Sequence, residues 1–327
     1  MISIHLKIRR LAIGASLAIC ALPGLVSAQN YPIKPIRLIV QFPPGNGADI
    51  NARLLAQQLS LSMGQQVVVE NRSSAAGVAA VNAVAKADPD GYTLLHMANV
   101  NAISQSLFKV APYDIVGDFA PVSTVSFTPM LFITSKTSTV SSIKELLAEA
   151  NANPAKFTIG VGVLGSTQHL TAELFKAVTR QELTVVAFNS NANLMSAVTR
   201  GEVNVVVELI TPVLAGLRGG MFKAIALSSE KRFSGLTAVP TLIETGFVDY
   251  AIQSWGMIGA PARTSGAIVE RLSRESIAGL AHPEVQKKAL DAGITMAGST
   301  PREARDLLVA EIARWRNVIQ SAKIAQQ

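Results

Sequence analysis

Apolar positions along the chain fall into short runs divided by longer stretches with helical spacing. Residues 36–42 form the first run, which Pro43-Pro44-Gly45-Asn46-Gly47 breaks. From Asp49 the apolar positions recur with helical spacing as far as Met63, where Gly64 stops them. The pattern is strand, tight loop, then a helix opened by Asp49. Residues 67–69 read as the next strand, 76–87 as an alanine-rich helix, and Asp88-Pro89-Asp90-Gly91 as a turn before a strand over 92–97. A second set follows, with helices over 141–151, 167–179 and 193–200 and strands over 157–161, 183–188 and 203–207. The tail is helical over 266–280, 283–292 and 301–322. Strands alternating with helices predict mostly parallel sheets flanked by helices. Two such sets predict two α/β lobes, lobe 1 from 29–127 plus 254–327 and lobe 2 from 128–253. The non-helical stretches 119–134 and 250–260 then cross between lobes, and two crossing strands make a hinge.

The first 28 residues stand apart from this alternation. Lys7, Arg9 and Arg10 precede an apolar run over 11–22, and Val26-Ser27-Ala28 supplies small residues, the three-part layout of a cleavable secretory signal. The run is shorter than the roughly 18 to 20 residues a membrane-spanning helix needs, so export with cleavage after Ala28 is expected, leaving the mature chain uninserted and periplasmic. The single cysteine, Cys20, lies in this segment. The exported chain therefore lacks disulfides, thiolate metal sites and a cysteine nucleophile, which suits an oxidising compartment. The remaining length of about 300 residues exceeds what one core serves and gives room for a cleft between domains.

The 327-residue chain carries 29 Lys and Arg against 22 Asp and Glu; residues 1–28 hold three of the basic residues and no acid, which leaves a net +4. No basic cluster is interleaved with aromatics, so a nucleic-acid partner is set aside. His96, His169 and His282 stand in no ligand pattern, so neither a metal nor a cofactor is expected.

Candidate chemistry sits in two glycine-rich turns. A strand ending in Pro44-Gly45-Asn46-Gly47-Ala48-Asp49 and leading into a helix aims backbone N–H groups at one point, where the helix dipole also favours negative charge. Gly165-Ser166-Thr167-Gln168 repeats this device in the second set. Together they would grip a carboxylate from two sides, although each alone also suits an ordinary strand-to-helix turn. The first turn lacks the third glycine of a dinucleotide-binding loop and has no Gly-Lys-Ser/Thr of a phosphate-binding loop. Asn99, Asn101, Asn189 and Glu208 follow strand ends, where an α/β cleft opens. Glu208, within an apolar run, must pair, be solvated or shift its pKa, and it would select a ligand carrying a donor such as a hydroxyl or ammonium. Ser166 three residues before His169 leaves a serine hydrolase as a remote alternative, without a nucleophile elbow or an orienting acid. No catalytic residue is otherwise expected. Trp255, beside Gly256, Met257 and Ile258, reads as packing at the hinge.

Ordered motifs run through the whole exported chain. They include Tyr31-Pro32, Lys34-Pro35-Ile36-Arg37, Phe42-Pro43-Pro44-Gly45 with Asp49, Val67-Val68-Val69-Glu70-Asn71-Arg72, Asp90-Gly91-Tyr92-Thr93-Leu94, Pro112-Tyr113-Asp114, Asp118-Phe119-Ala120-Pro121-Val122, Gly165 to Leu170, Val239-Pro240-Thr241, Ser254-Trp255 and Gly298-Ser299-Thr300-Pro301. In these the chain resembles the Bug-type receptors, the extracytoplasmic solute-binding proteins of tripartite tricarboxylate transporters. The resemblance implies a periplasmic binding protein of the Venus-flytrap type that closes on a small carboxylate: a dicarboxylate, an acidic amino acid or an aromatic acid. It implies membrane transporter subunits as partners, or, for receptors without such subunits, a signalling partner. It places Pro44 to Asp49 and Gly165 to Gln168 on the carboxylate, and Asn99, Asn189 and Glu208 at the variable end. The chain departs from the family pattern at 187–191 and at Glu208, where the family often has aspartate.

Overall fold

The computed structural model describes residues 31–154, 156–248 and 250–327. The expected signal segment and Cys20 lie outside them. In chain order the elements are β1 (Ile36–Val40), α1 (Gly47–Met63), β2 (Val67–Asn71), α2 (Val78–Ala85), β3 (Thr93–Ala98), α3 (Asn99–Leu107), β4 (Phe119–Ser135), α4 (Ile143–Ala152), β5 (Thr158–Val161), α5 (Thr167–Thr179), β6 (Thr184–Ala187), α6 (Asn191–Arg200), β7 (Val205–Leu209), α7 (Ile210–Arg218), β8 (Phe222–Leu227), β9 (Gln253–Pro261), α8 (Gly266–Leu280), α9 (Pro283–Asp291), β10 (Thr295–Met296) and α10 (Pro301–Ser321).

The strands are ordered β2-β1-β3-β9-β4-β7-β5-β6, with β8 and β10 also pairing β4. The trio β2-β1-β3 is parallel, as is β7-β5-β6, while β9, β4, β8 and β10 join antiparallel. The inner strands β1, β3, β5 and β7 read in sequence as apolar runs between helices, because they are buried on both faces.

The long strand β4 serves both trios. Its residues 119–129 pair with β9, and from Met130 to Ser135 it pairs with β7 and β8 instead. Pro129, with no N–H to donate, sits where the pairing changes hands. Ser228 stitches the change: its Oγ accepts from Met130 N at 2.9 Å and donates to Ile252 O at 2.6 Å, and its carbonyl accepts from Ile252 N at 2.8 Å.

Strand direction settles where the helices begin. β3 is antiparallel to β9, β9 to β4, and β4 to β7. So β4 runs with β1 and β3 and against β5, β6 and β7. Because β4 passes from the β9 side to the β7 side, the carboxyl ends of β1 and β3 point toward the second trio. Those of β5, β6 and β7 point back toward the first. Helices α1, α3, α5, α6 and α7 therefore all start at the junction, where α/β sheets carry their ligand crevices.

The tail helices pack back on the β9 side, α8 against α1 and β4, and α10 against α3 and β4. A capping box of Thr300 and Glu303 starts α10, as the Ser-Thr-Pro sequence leads one to expect. Both of the chain's tryptophans donate their indole N–H to one buried carboxylate oxygen, Glu311 Oε2, at 3.1 Å each, and Glu311 Oε1 pairs with Arg314 at 3.0 Å. Trp255 is thus a packed residue of β9, anchored to α10 beside the crossing strands. Glu311→Ala would strand two buried donors and should lower unfolding free energy by roughly 2–4 kcal/mol. Glu311→Gln keeps an acceptor and should lose less than half of that. Denaturant titration followed by tryptophan fluorescence checks both.

Candidate functional site

The β1–α1 turn is built by Asp49 and Asn46 together. The helix starts at Gly47, two residues before the start expected at Asp49, because Asn46 is the cap: its side chain accepts from Asp49 N at 2.9 Å. Asp49 instead turns inward, 3% exposed, and ties the loop shut. Its carboxylate accepts from Gly45 N, Arg53 Nε and Asn71 Nδ2, each at 2.9 Å. Burial pushes its pKa up, but the bonds from Arg53, Gly45 and Asn71 outweigh this and hold it below the ordinary value. Gly45 takes a φ of +84°, which the exposed tip of the turn needs after Pro44. Asn46, Gly47 and Ala48 are half-buried, and the amides of Gly47 and Ala48 are first-turn donors without an intrahelical acceptor.

The β5–α5 turn repeats the construction with different residues. Ser166 caps α5, accepting from His169 N at 3.3 Å, and Gly165, at φ +80°, donates its N–H to His169 Nδ1 at 3.0 Å. That bond engages the ring's one lone pair and fixes the tautomer with the proton on Nε2, so neither ring nitrogen is free to act as base for a serine nucleophile. Burial lowers the His169 pKa, partly opposed by Glu173, so the ring stays neutral and can accept at Nδ1. Thr167 and Gln168 form the first turn, and Gln168 Nε2 donates to Glu208 Oε1 at 2.6 Å.

Glu208 is the penultimate residue of β7 and is 5% exposed. Besides Gln168, its Oε1 accepts from Leu209 N at 2.8 Å. Burial raises its pKa, and the two donors only partly offset that. Two residues further on α7 begins, and the point where a side chain at Gly47 would start lies 3.7 Å from Thr211 Oγ1. The bond from Gln168 to Glu208 ties the start of α5 to the end of β7, and the position of Gly47 beside Thr211 brings the start of α1 next to that of α7.

Three other candidate residues are placed differently. Asn99 and Asn101 were expected to face the cleft after β3, but they open the unforeseen helix α3 with side chains turned inward. Asn99 Oδ1 accepts from Trp255 N at 2.7 Å and its amide donates to Gln253 O at 3.2 Å. Asn101 bonds Ala98 N, Gln41 and Tyr113. Both amides are saturated by the fold itself. Asn189 lies exposed beyond β6, accepting from Asn193 Nδ2 at 3.1 Å, with no contact to the other candidates. Thr211 escaped the reading because the apolar run 205–210 continues past the strand expected over 203–207 and gives no sign of a helix start; the signal was Pro212, which suits the first turn of a helix.

The three turns together carry neutral amide donors beside two buried acids, Asp49, engaged by its own loop, and Glu208. Such a set binds an anion without a charged clamp. Among the described residues no group of three His, Cys, Asp or Glu is arranged to hold a metal ion, and no helix is long and apolar enough to cross a membrane.

Comparison with known proteins agrees with this layout. The family model described as "Tripartite tricarboxylate transporter family receptor" matches residues 51–324. The chain belongs to this receptor family. Among relatives of the receptor, protein BugT of Bordetella pertussis is 34% identical over 310 residues, 94% of this chain and 95% of that one. An R. palustris protein, Rpa4515, solved with adipate, superposes with a TM-score of 0.79 at 33% identity, covering 90% of this receptor and 99% of that chain. MatC from Rhodopseudomonas palustris, solved with malate, gives 0.74 at 25% identity over 88% of this receptor and 100% of that chain. The family is one of solute-binding receptors, not enzymes, as the commitment of Ser166 and His169 to holding their loop would suggest.

A folded carboxyl with raised pKa contributes stability that is complete below its unfolded value and is lost as pH rises through the folded one. Glu208→Gln should therefore reduce the fall in melting temperature of the ligand-free receptor as pH climbs from about 4.5 toward neutrality. Thermal melts of parent and variant across that range check it, with the variant at least as stable at pH 7.

Proposed function

We propose that this receptor captures a small carboxylate in the periplasm and presents it to the membrane subunits of a tripartite tricarboxylate transporter. The observation that carries the reading is the meeting of helix starts from both strand trios, with Gly47 of one set against Thr211 of the other. The lobes of the receptor are 29–127 with 254–327, and 128–253. β4 and the chain before β9 are the crossings, and Pro129 with Ser228 is the hinge point. Residues 1–28 direct export and are removed. Gly45 to Ala48 and Gly165 to Gln168 surround the carboxylate, Asp49 holding the first loop in shape. Solved relatives of the family carry adipate and malate, which supports a carboxylate ligand.

Glu208 narrows the ligand class. A desolvated acid that already accepts from Gln168 favours a ligand bringing a further donor, such as a hydroxyl or ammonium, and disfavours a bare ionised group. Thermal shift of the mature protein against succinate, malate, glutamate, adipate, benzoate and nicotinate tests the proposal. A ligand at 100 times its dissociation constant adds about 2.7 kcal/mol of stability, which moves the melt clearly. Malate should shift the protein more than succinate does. A panel that leaves the melting temperature unchanged would overturn the carboxylate reading.

A further inference from the structure

We infer that Thr211 is a ligand-contacting residue of this site, its hydroxyl donating to the bound carboxylate from the β7 side while the first turn of α1 holds it from the β9 side. The inference rests on the carboxylate reading above and goes beyond it in naming a residue that neither the glycine-rich turns nor the strand-end asparagines indicate.

Four buried side-chain atoms among the described residues lack a hydrogen-bond partner in the protein: His96 Nδ1, Ser106 Oγ, Thr211 Oγ1 and Thr264 Oγ1. His96 is already tied through Nε2 to Asn51 Oδ1 at 2.7 Å, inside the sheet. Ser106 lies near the far end of α3 and Thr264 follows β9, both away from the strand ends that face the junction. Thr211 alone of the four stands at that junction. A side chain placed on Gly47 would meet Thr211 Oγ1 at 3.7 Å and, outside its own turn, no other atom within 4 Å, so the first turn of α1 and the start of α7 lie side by side.

A second glycine packs against the backbone around Thr211. A side chain placed on Gly293, in the turn after α9, would come within 2.5 Å of Ile210 Cγ2 and 3.3 Å of Thr211 N. Gly293, at φ +79°, thus lets the α9–β10 turn close down on the start of α7. Thr211 is gripped between two glycines, each from the β9 side of the molecule, and its hydroxyl is left without a mate. Leaving such a group buried and unpaired is unfavourable, whereas an ionised oxygen within reach gives it one of the stronger hydrogen bonds available. The hydroxyl is set three residues after Glu208, so the same segment would read both the carboxylate and the donor group of the ligand.

The test is isothermal titration of the mature chain with whichever of the six panel acids shifts the parent melt most. Thr211→Val keeps shape and removes the hydroxyl. It should weaken binding by roughly ten- to a hundredfold, with the ligand-free melting temperature equal to the parent's or higher. Thr211→Ala should lose affinity to a similar degree, guarding against a valine variant that packs badly. Thr211→Ser, which restores the hydroxyl alone, should bind within about threefold of the parent. Valine and alanine variants that both bind within about threefold of the parent would overturn the assignment while leaving the carboxylate reading intact. A parent that binds none of the six acids removes the carboxylate reading and this assignment with it.

Discussion

The architecture depends on one strand changing partners. Over its first eleven positions β4 completes the sheet begun by β2-β1-β3, and over its last six it completes the sheet of β7-β5-β6. The first trio takes its antiparallel neighbour from β9 and the second takes its own from β4, and β4 pairs β9 as well, so one strand links the two sets. The arrangement also fixes polarity: each trio aims its carboxyl ends at the other, so every strand-to-helix turn of consequence arrives at the same junction. Ser228, bonded to Met130 and to Ile252, keeps the two crossings in step at the point where neither sheet is complete.

At the junction, charge is managed by separating roles. Asp49 is ionised and fully engaged by Gly45, Arg53 and Asn71, so it shapes a loop without presenting charge to a ligand. Glu208 is desolvated and only half satisfied, an acid held where an incoming donor can reach it. Around them the donors are peptide N–H groups at helix starts, rigid and already oriented. Such donors need little reorganisation on binding, and the loops carrying them are pinned by their own side chains, Asn46 in one and Ser166 with His169 in the other.

Much of the fold was legible in the residues. Helix α5 begins and ends where its cap and spacing place it, and α8 does the same; α10 is marked by Thr300-Pro301 and Glu303. The long strands β4 and β9 were visible as non-helical apolar stretches over 119–134 and 250–260. Less legible were α3, α7 and β8. Helix α3 follows β3 without a break, so its asparagines looked like loop residues when they were buried structural ties. Helix α7 is as apolar as the strand before it, and period alone does not separate the two. In the site, the glycine turns announced themselves through phi angles that only glycine takes readily, whereas the environment of Thr211 is created by Gly47 and Gly293, which lie 164 residues before it and 82 after it in the chain. Contacts across such spans leave no local signature.

The partnership of β3 with β9 has a consequence for how the molecule comes into being. Leu95 pairs with Gly259, and Thr124 N bonds Ser299 Oγ, 175 residues away in the chain. The first sheet therefore cannot close until most of the polypeptide is available, however early its opening strands emerge. Chains dominated by such distant pairings fold slowly, because a long loop must be ordered before any contact rewards it. For a protein whose β1-β2-β3 unit is made first, the unfinished sheet edge stays open through synthesis, and slowness of assembly follows from the same crossing that joins the two strand trios.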